Sequence, residues 1–185
     1  MKNINPAGFA VLAAVLLASC GSDSKGVATA ARTVHACEIV SGAEVSQIAA
    51  AALVESNVDV ERSSGGDSFS QCTHTLEGAH KRVTVQVRTS DTPMAMSKQQ
   101  DADRERASDD GSSYAIEFGD AIAAGTDISG IGDVAYAFEL YETLHLVVYK
   151  AKHAEVRVWM PLRSTSKDQV LRIEKEIARV AIDRL

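Results

Sequence analysis

The sequence predicts an α+β domain: an antiparallel sheet of about five to six strands with helices packed on one face. Three observations lead there. The C-terminal third alternates apolar and polar residues through three successive segments, which is the periodicity of strands. Two serine-led patterns, Ser41-x-x-Glu44 and Ser166-x-x-Gln169, each open an apolar stripe at helical spacing. The elements follow the order helix, strands, helix, strands, helix, which suits helices laid on an antiparallel sheet.

The first segment is a targeting signal rather than structure. Lys2 supplies a positive start, Ala7 to Ala18 is a run of twelve mostly apolar residues, and small residues follow. The run is shorter than the roughly 20 apolar residues a membrane span needs, and no later segment matches even that length. It ends in Leu17-Ala18-Ser19-Cys20. This tetrapeptide resembles the lipobox of bacterial lipoproteins. The resemblance implies removal of residues 1–19 as a signal peptide and acylation of Cys20, with palmitate-type chains anchoring the protein to a membrane on the extracytoplasmic side. The other reading is an ordinary cleaved signal with a chance cysteine. Gly21 stands where an aspartate would favour inner-membrane retention, so a Gram-negative source would place the chain on the outer membrane, facing the periplasm. Any other source would place it on the cell membrane. Residues 20–33 then form the lipidated cysteine and a small, polar tether with a span of about 20 Å, and residues 34–185 form a single envelope domain.

Three cysteines are an odd number for an exported chain. With Cys20 acylated, Cys37 and Cys72 remain to pair in an oxidising compartment. A bridge across about 35 residues contributes on the order of 3–4 kcal/mol. The alternative is two buried thiols. Net charge is −6, and loss of Lys2 with the signal takes it to −7. An acidic domain with no Lys/Arg block argues against nucleic acid as a partner.

Within the domain, the spacing predicts a helix of about a dozen residues after Ser41, carrying Val45, Ile48, Ala49, Ala52 and Leu53. A short strand is expected at 58–61. Two strands follow, with Cys72, His74 and Leu76 on one face of the first and Val83, Val85 and Val87 on one face of the second. Thr92-Pro93 opens a polar surface helix reaching about Ser108. Tyr114, Ile116 and Phe118 alternate as a short strand would. Tyr136/Phe138/Leu140, Leu144/Leu146/Val148 and Val156/Val158/Met160 make a three-stranded meander. The last helix presents Val170, Ile173, Ile177 and Val180, with Ala181 beside them.

Catalytic signatures are lacking. There is no G-x-S-x-G elbow, P-loop or H-E-x-x-H, and the two S-x-x-K matches, at Ser22 and Ser164, lack companion motifs. Gly130-Ile131-Gly132-Asp133-Val134-Ala135 matches G-x-G-x-x-A, but a strand follows it where a dinucleotide site needs a helix. Extended through Tyr136, with Cys37 and Cys72 upstream and a C-terminal helix, the chain resembles a group of small uncharacterised bacterial lipoproteins, found in actinobacteria. The resemblance implies one disulfide, a glycine–aspartate turn before a strand and kinship with extracellular sensor modules. It implies no catalytic residue. His35 and His74 each lie two residues from a half-cystine, so the bridge could bring two rings together as a metal pair; the plainer reading is a hydrogen-bonded core His74 and a peripheral His35.

One constellation stands out. If Leu146 pairs with both Phe138 and Val158, the turns are three-residue loops, Tyr141–Thr143 and Ala151–His153. Glu139, His145 and Trp159 then share a row on the opposite face, with Tyr149 opposite Glu155 and Val147 opposite Arg157. This candidate binding face (Glu139, His145, Tyr149, Arg157, Trp159) suits a protein partner or small ligand. Cross-strand packing alone would also account for it. The expected function is therefore a non-enzymatic, lipid-anchored envelope domain with no cofactor and no metal. The alternatives are a purely structural or assembly lipoprotein, and a hydrolase using Glu139 and His145.

Overall fold

The computed structural model describes residues 33–78, 82–94, 97–108, 112–163 and 165–185. The expected signal peptide, Cys20 and nearly all of the tether lie outside them. Two short helices come first, α1 (Ala36–Ile39) and α2 (Gly42–Ala49). Ser41 caps α2 with a full capping box: its Oγ accepts from the Glu44 N–H, and the Glu44 carboxylate accepts from the Ser41 N–H at 3.0 Å. α2 stops at eight residues instead of a dozen, because Ala50 turns into the left-handed region at φ 50°.

The strands are β1 (Leu53–Ser64), β2 (Asp67–Leu76), β3 (Arg82–Ser90), β4 (Thr126–Asp127), β5 (Val134–Leu140), β6 (Thr143–Lys150) and β7 (Ala154–Pro161). All pairings are antiparallel, in the order β1-β2-β3-β7-β6-β5-β4. The α+β class is as the sequence predicts, with the short edge strand β4 added. Between the two meanders lie α3 (Lys98–Arg106) and α4 (Ser113–Ala124), and the chain closes with α5 (Lys167–Asp183).

The first face of the sheet carries Cys72, Leu76, Val83, Val85, Val87, Leu146, Val148, Val156 and Val158 against α1, α2 and α5. Ser166 caps α5 by accepting from the Gln169 N–H, and Val170, Ile173, Ile177 and Ala181 are its buried stripe. Each of the larger three contributes roughly 2 kcal/mol on burial. Val180 is only half-buried. The Cys37–Cys72 disulfide ties α1 to β2, with Cα atoms 5.2 Å apart.

Helices cover both faces, not one. Tyr136, Phe138, Val147 and Tyr149 form a second core with Met94, Ala102 of α3 and Ile122 of α4. Two expectations change with it. The alternation Tyr114/Ile116/Phe118 is helical: Ser112 caps α4, and the buried positions are Ala115, Gly119 and Ile122, spaced four and three apart. Gly119 is small because α3 crosses there. A Cβ would sit 2.7 Å from the Ala102 carbonyl oxygen. The polar helix starts later than Pro93, because Ser97 caps it.

The register of β5 also differs from expectation. Ala137 lies opposite Leu146, and Phe138 opposite His145. The turn is Tyr141-Glu142 alone, both with positive φ, as a two-residue type I′ hairpin requires. The one-residue shift sends Tyr136 and Phe138 to the second face and leaves Ala135 and Ala137 on the first. The β6–β7 register and the Ala151–His153 loop are as expected.

β1 runs twelve residues, far beyond 58–61, along an open edge. Two register irregularities and the charges of Glu55, Asp59, Glu61 and Arg62 interrupt that edge, which disfavours pairing with other chains.

Candidate functional site

The second face holds four of the five candidate binding residues. His145 pairs with Trp159, Tyr149 with Glu155 and Val147 with Arg157. Glu139 is not among them. It lies opposite Leu144, projects with the first face, is exposed, and meets Lys167 Nζ at 3.3 Å. The one-residue shift of β5 is the reason. A Glu139–His145 acid–base pair is therefore not assembled.

The rest of the face is roofed rather than open. Tyr149 is fully buried and Arg157 is 8 % exposed, because α3 and α4 lie across them. α3 brings Asp101, Arg104 and Glu105 down onto β7. Spacing of three and four places all three on one side of a helix. Arg157 Nη2 lies 3.1 Å from both Asp101 carboxylate oxygens and from Glu105 Oε1, and its Nε donates to Glu155. Arg104 donates to Asp101 and reaches Glu155 and Glu105 at 3.5 Å. The Tyr136 hydroxyl donates to Asp101. The Tyr149 hydroxyl is buried without a hydrogen-bond partner among the described residues.

The electrostatics follow from the burial. Desolvation alone would raise the Glu155 pKa, but Arg157 and Arg104 hold its carboxyl below the usual range. Burial would likewise favour a neutral Arg157, and Glu155, Asp101 and Glu105 outweigh it. Tyr136 and Tyr149 are pushed up by burial and then by the neighbouring acids, so both hydroxyls stay protonated. Glu155 is an ion held between arginines, which suits clamping α3 to the sheet and gives no free proton donor. A polar α3 with Asp101 fully buried is what the sequence reading missed. The usable signal was the 101/104/105 spacing of charges together with Glu155 and Arg157 in alternate positions of a strand.

α3 and α4 cover only the β5–β7 part of this face. Beside α3, over β1 to β3, an open cleft of about 700 Å³ remains. Arg62, Phe69, Gln86 and Arg88 line its sheet side, and Arg104 and Glu105 its helix side. Arg62, Phe69, Arg88 and Glu155 are successive register partners, so they form one cross-strand row. A second concavity of about 680 Å³ lies where the chain enters at Thr33, lined by Val34, Ile39, His35, Lys150, His153 and Arg184. Its polar groups bond within the fold. His35 Nδ1 meets Glu61 at 2.6 Å, His153 Nδ1 meets the Ser90 carbonyl at 2.8 Å, Lys150 donates to the Ile182 carbonyl, and Arg184 pairs with Glu44.

The histidines beside the disulfide do not meet. His74 is buried, with Nδ1 2.8 Å from Ser56 Oγ, and burial lowers its pKa, so it is a neutral core residue. His35 is raised by its hydrogen bond to Glu61. Among the described residues no group of three His, Cys, Asp or Glu side chains could hold a metal ion. Gly130 and Gly132 have positive φ, and a Cβ on Gly132 would lie 2.5 Å from the Tyr149 carbonyl oxygen. Asp133 closes that turn, its carboxylate accepting from the Ala151 N–H at 2.6 Å. The glycines thus serve entry into β5, as the sequence suggests.

Comparison with family models, curated proteins and solved structures finds no match to this chain.

Proposed function

We propose that this chain is a lipid-anchored, non-enzymatic domain on the extracytoplasmic side of the cell envelope, and that it binds a partner or small ligand through the cleft beside α3. The cleft is the observation that carries the reading. It is the concave, polar part of the second face that the helices leave uncovered. The lipobox-like Leu17-Ala18-Ser19-Cys20 and the small, polar stretch after it support the anchor. The roofed His145–Trp159 row offers a ligand no comparable opening.

Photo-crosslinking in intact cells tests the cleft. A photoreactive residue at Gln86 should give a discrete adduct, one at Lys175 on the outer side of α5 should not, and Arg62→Glu with Arg88→Glu should abolish the first. Equal adducts from both positions, or none from 86, would sink the cleft reading. The anchor has its own test: Cys20→Ser should end palmitate labelling and release the chain from membranes.

The second reading is a structural or assembly lipoprotein that acts by tethering. The α3–α4 roof over the aromatic row favours it. Under that reading cleft variants leave cells unaffected, while Cys20→Ser reproduces a deletion. The Glu139–His145 hydrolase has no support in the geometry, since the two side chains lie on opposite faces.

A further inference from the structure

We propose that the cleft binds a small organic acid, a carboxylate or a phosphate ester, carrying a flat apolar body; this rests on the reading that the cleft is the binding site. The row Arg62–Phe69–Arg88 spans β1, β2 and β3. Neighbouring strands lie about 4.8 Å apart, so two arginines stand astride one aromatic ring with Cα atoms about 10 Å apart. The Phe69 side chain is half-buried and forms an apolar floor.

The hydrogen-bonding balance points to an anion. The Arg62 side chain makes no ion pair or hydrogen bond among the described residues, nor does the side-chain amide of half-buried Gln86. Arg88 lies 3.9 Å from Asp67, beyond hydrogen-bonding distance, and acts on its register partner Glu155 through charge alone. The acids at the α3 end are occupied: Glu105 of α3 and Glu155 of β7 are bonded to Arg104 and Arg157. The outer end of the cleft therefore holds two guanidiniums with free donors, against the half-exposed Asp67 carboxylate and the neutral Gln86 amide and Ser64 hydroxyl, which donate as well as accept. A guanidinium fork matches a carboxylate or phosphate in two parallel bonds, and its plane stacks on flat groups. An acid group held between Arg62 and Arg88, with an apolar body over Phe69, satisfies both features.

The test uses the full-length chain in detergent micelles with four probes: phenyl phosphate, phenylacetate, inorganic phosphate and benzyl alcohol. Arginine Nε–H and phenylalanine ring signals are followed by NMR. Phenyl phosphate or phenylacetate should saturate the Arg62, Phe69 and Arg88 signals in the millimolar range. Each should bind at least about tenfold more tightly than the anion alone or the ring alone. The tighter of the two identifies the acid class. R62Q and R88Q should each weaken binding by about tenfold without moving the melting temperature. No saturable shift at these residues, or an unchanged affinity in the double variant, overturns the proposal. The in-cell adduct from position 86 does not depend on these probes, so its persistence would leave the cleft standing with the wrong ligand class assigned.

Discussion

Phe138 stacks on His145 across the β5–β6 pair, with ring centroids 4.8 Å apart and planes 6° from parallel. Trp159 continues the stack at 5.9 Å, and Phe118 of α4 closes it edge-on at 5.8 Å. The imidazole thus sits in an aromatic box beside the Arg157 guanidinium. That contact depends on the β5 register and on the position of α4, so it ties the two surprises of the fold together.

His145 should accordingly stay neutral to low pH. Burial first, and Arg157 second, lower its pKa to about 4. A folded value below the ordinary 6.5 means that the unfolded chain takes up the proton first. Stability from this group is therefore full above pH 6.5 and is lost as pH falls toward 4. The whole effect is on the order of 3 kcal/mol. Two-dimensional NMR should place the His145 midpoint near 4. The His145→Phe variant should lose less stability than the parent between pH 6.5 and 4. A midpoint near 6.5 would mean that the box admits water.

The sequence made visible what depends on local pattern. Ser41 and Ser166 announced their helices, and Leu146, Val158 and the Ala151–His153 loop set the β6–β7 register, because one apolar face and one turn decide such pairings. β5 could not be placed that way. Its alternate residues, Tyr136 and Phe138 against Ala135 and Ala137, are apolar on both sides, so either register buries apolar groups. The second core resolves the ambiguity, and it depends on α4, whose buried positions Ala115 and Gly119 are too small to look like a core stripe. Of the candidate face, the β6–β7 partners were legible. Its roof and the Arg62–Phe69–Arg88 row were not, because both depend on contacts between segments far apart in the chain.

The ion network under α3 should behave as a buried pair does when one member is removed. Asp101→Ala removes both carboxylate oxygens that face Arg157 Nη2 at 3.1 Å and leaves the Tyr136 hydroxyl without an acceptor. A cost of about 3–5 kcal/mol is expected in urea denaturation. Asp101→Leu combined with Arg157→Met removes both charges and should recover part of it, since no unpaired arginine is then left there and buried Glu155 keeps Arg104 at 3.5 Å as its counter-charge. A double variant worse than the sum of the singles would show that the network contributes more than it costs to desolvate.

Reduction of Cys37–Cys72 should loosen the first face at one place. The bridge fixes α1 to β2 across a separation of 35 residues. Its loss should cost on the order of 3–4 kcal/mol, with hydrogen exchange rising in α1 and β2 before α5. Paired Cys37→Ala and Cys72→Ala substitutions should match the reduced protein. Uniform loss of protection across the sheet would indicate that the bridge holds the whole domain rather than this corner.

Glu174 offers the sharpest test of the first core. It is fully buried on α5, and neither carboxylate oxygen has a hydrogen-bond partner among the described residues. Burial pushes its pKa well above the ordinary 4.5, and the nearby Met160 backbone N–H opposes this without reaching hydrogen-bond geometry. A folded value above the unfolded one reverses the usual carboxylate behaviour. The group's contribution is most favourable below pH 4.5 and is lost as pH rises toward the folded value. Glu174→Leu should therefore stabilise the domain, by about 1–3 kcal/mol at pH 8 and by less at pH 4. Glu174→Gln keeps the shape and a polar group, so it should remove the pH dependence and recover less stability. Urea midpoints at the two pH values decide the matter: a gain that does not change with pH would mean that Glu174 has a compensating partner when ionised.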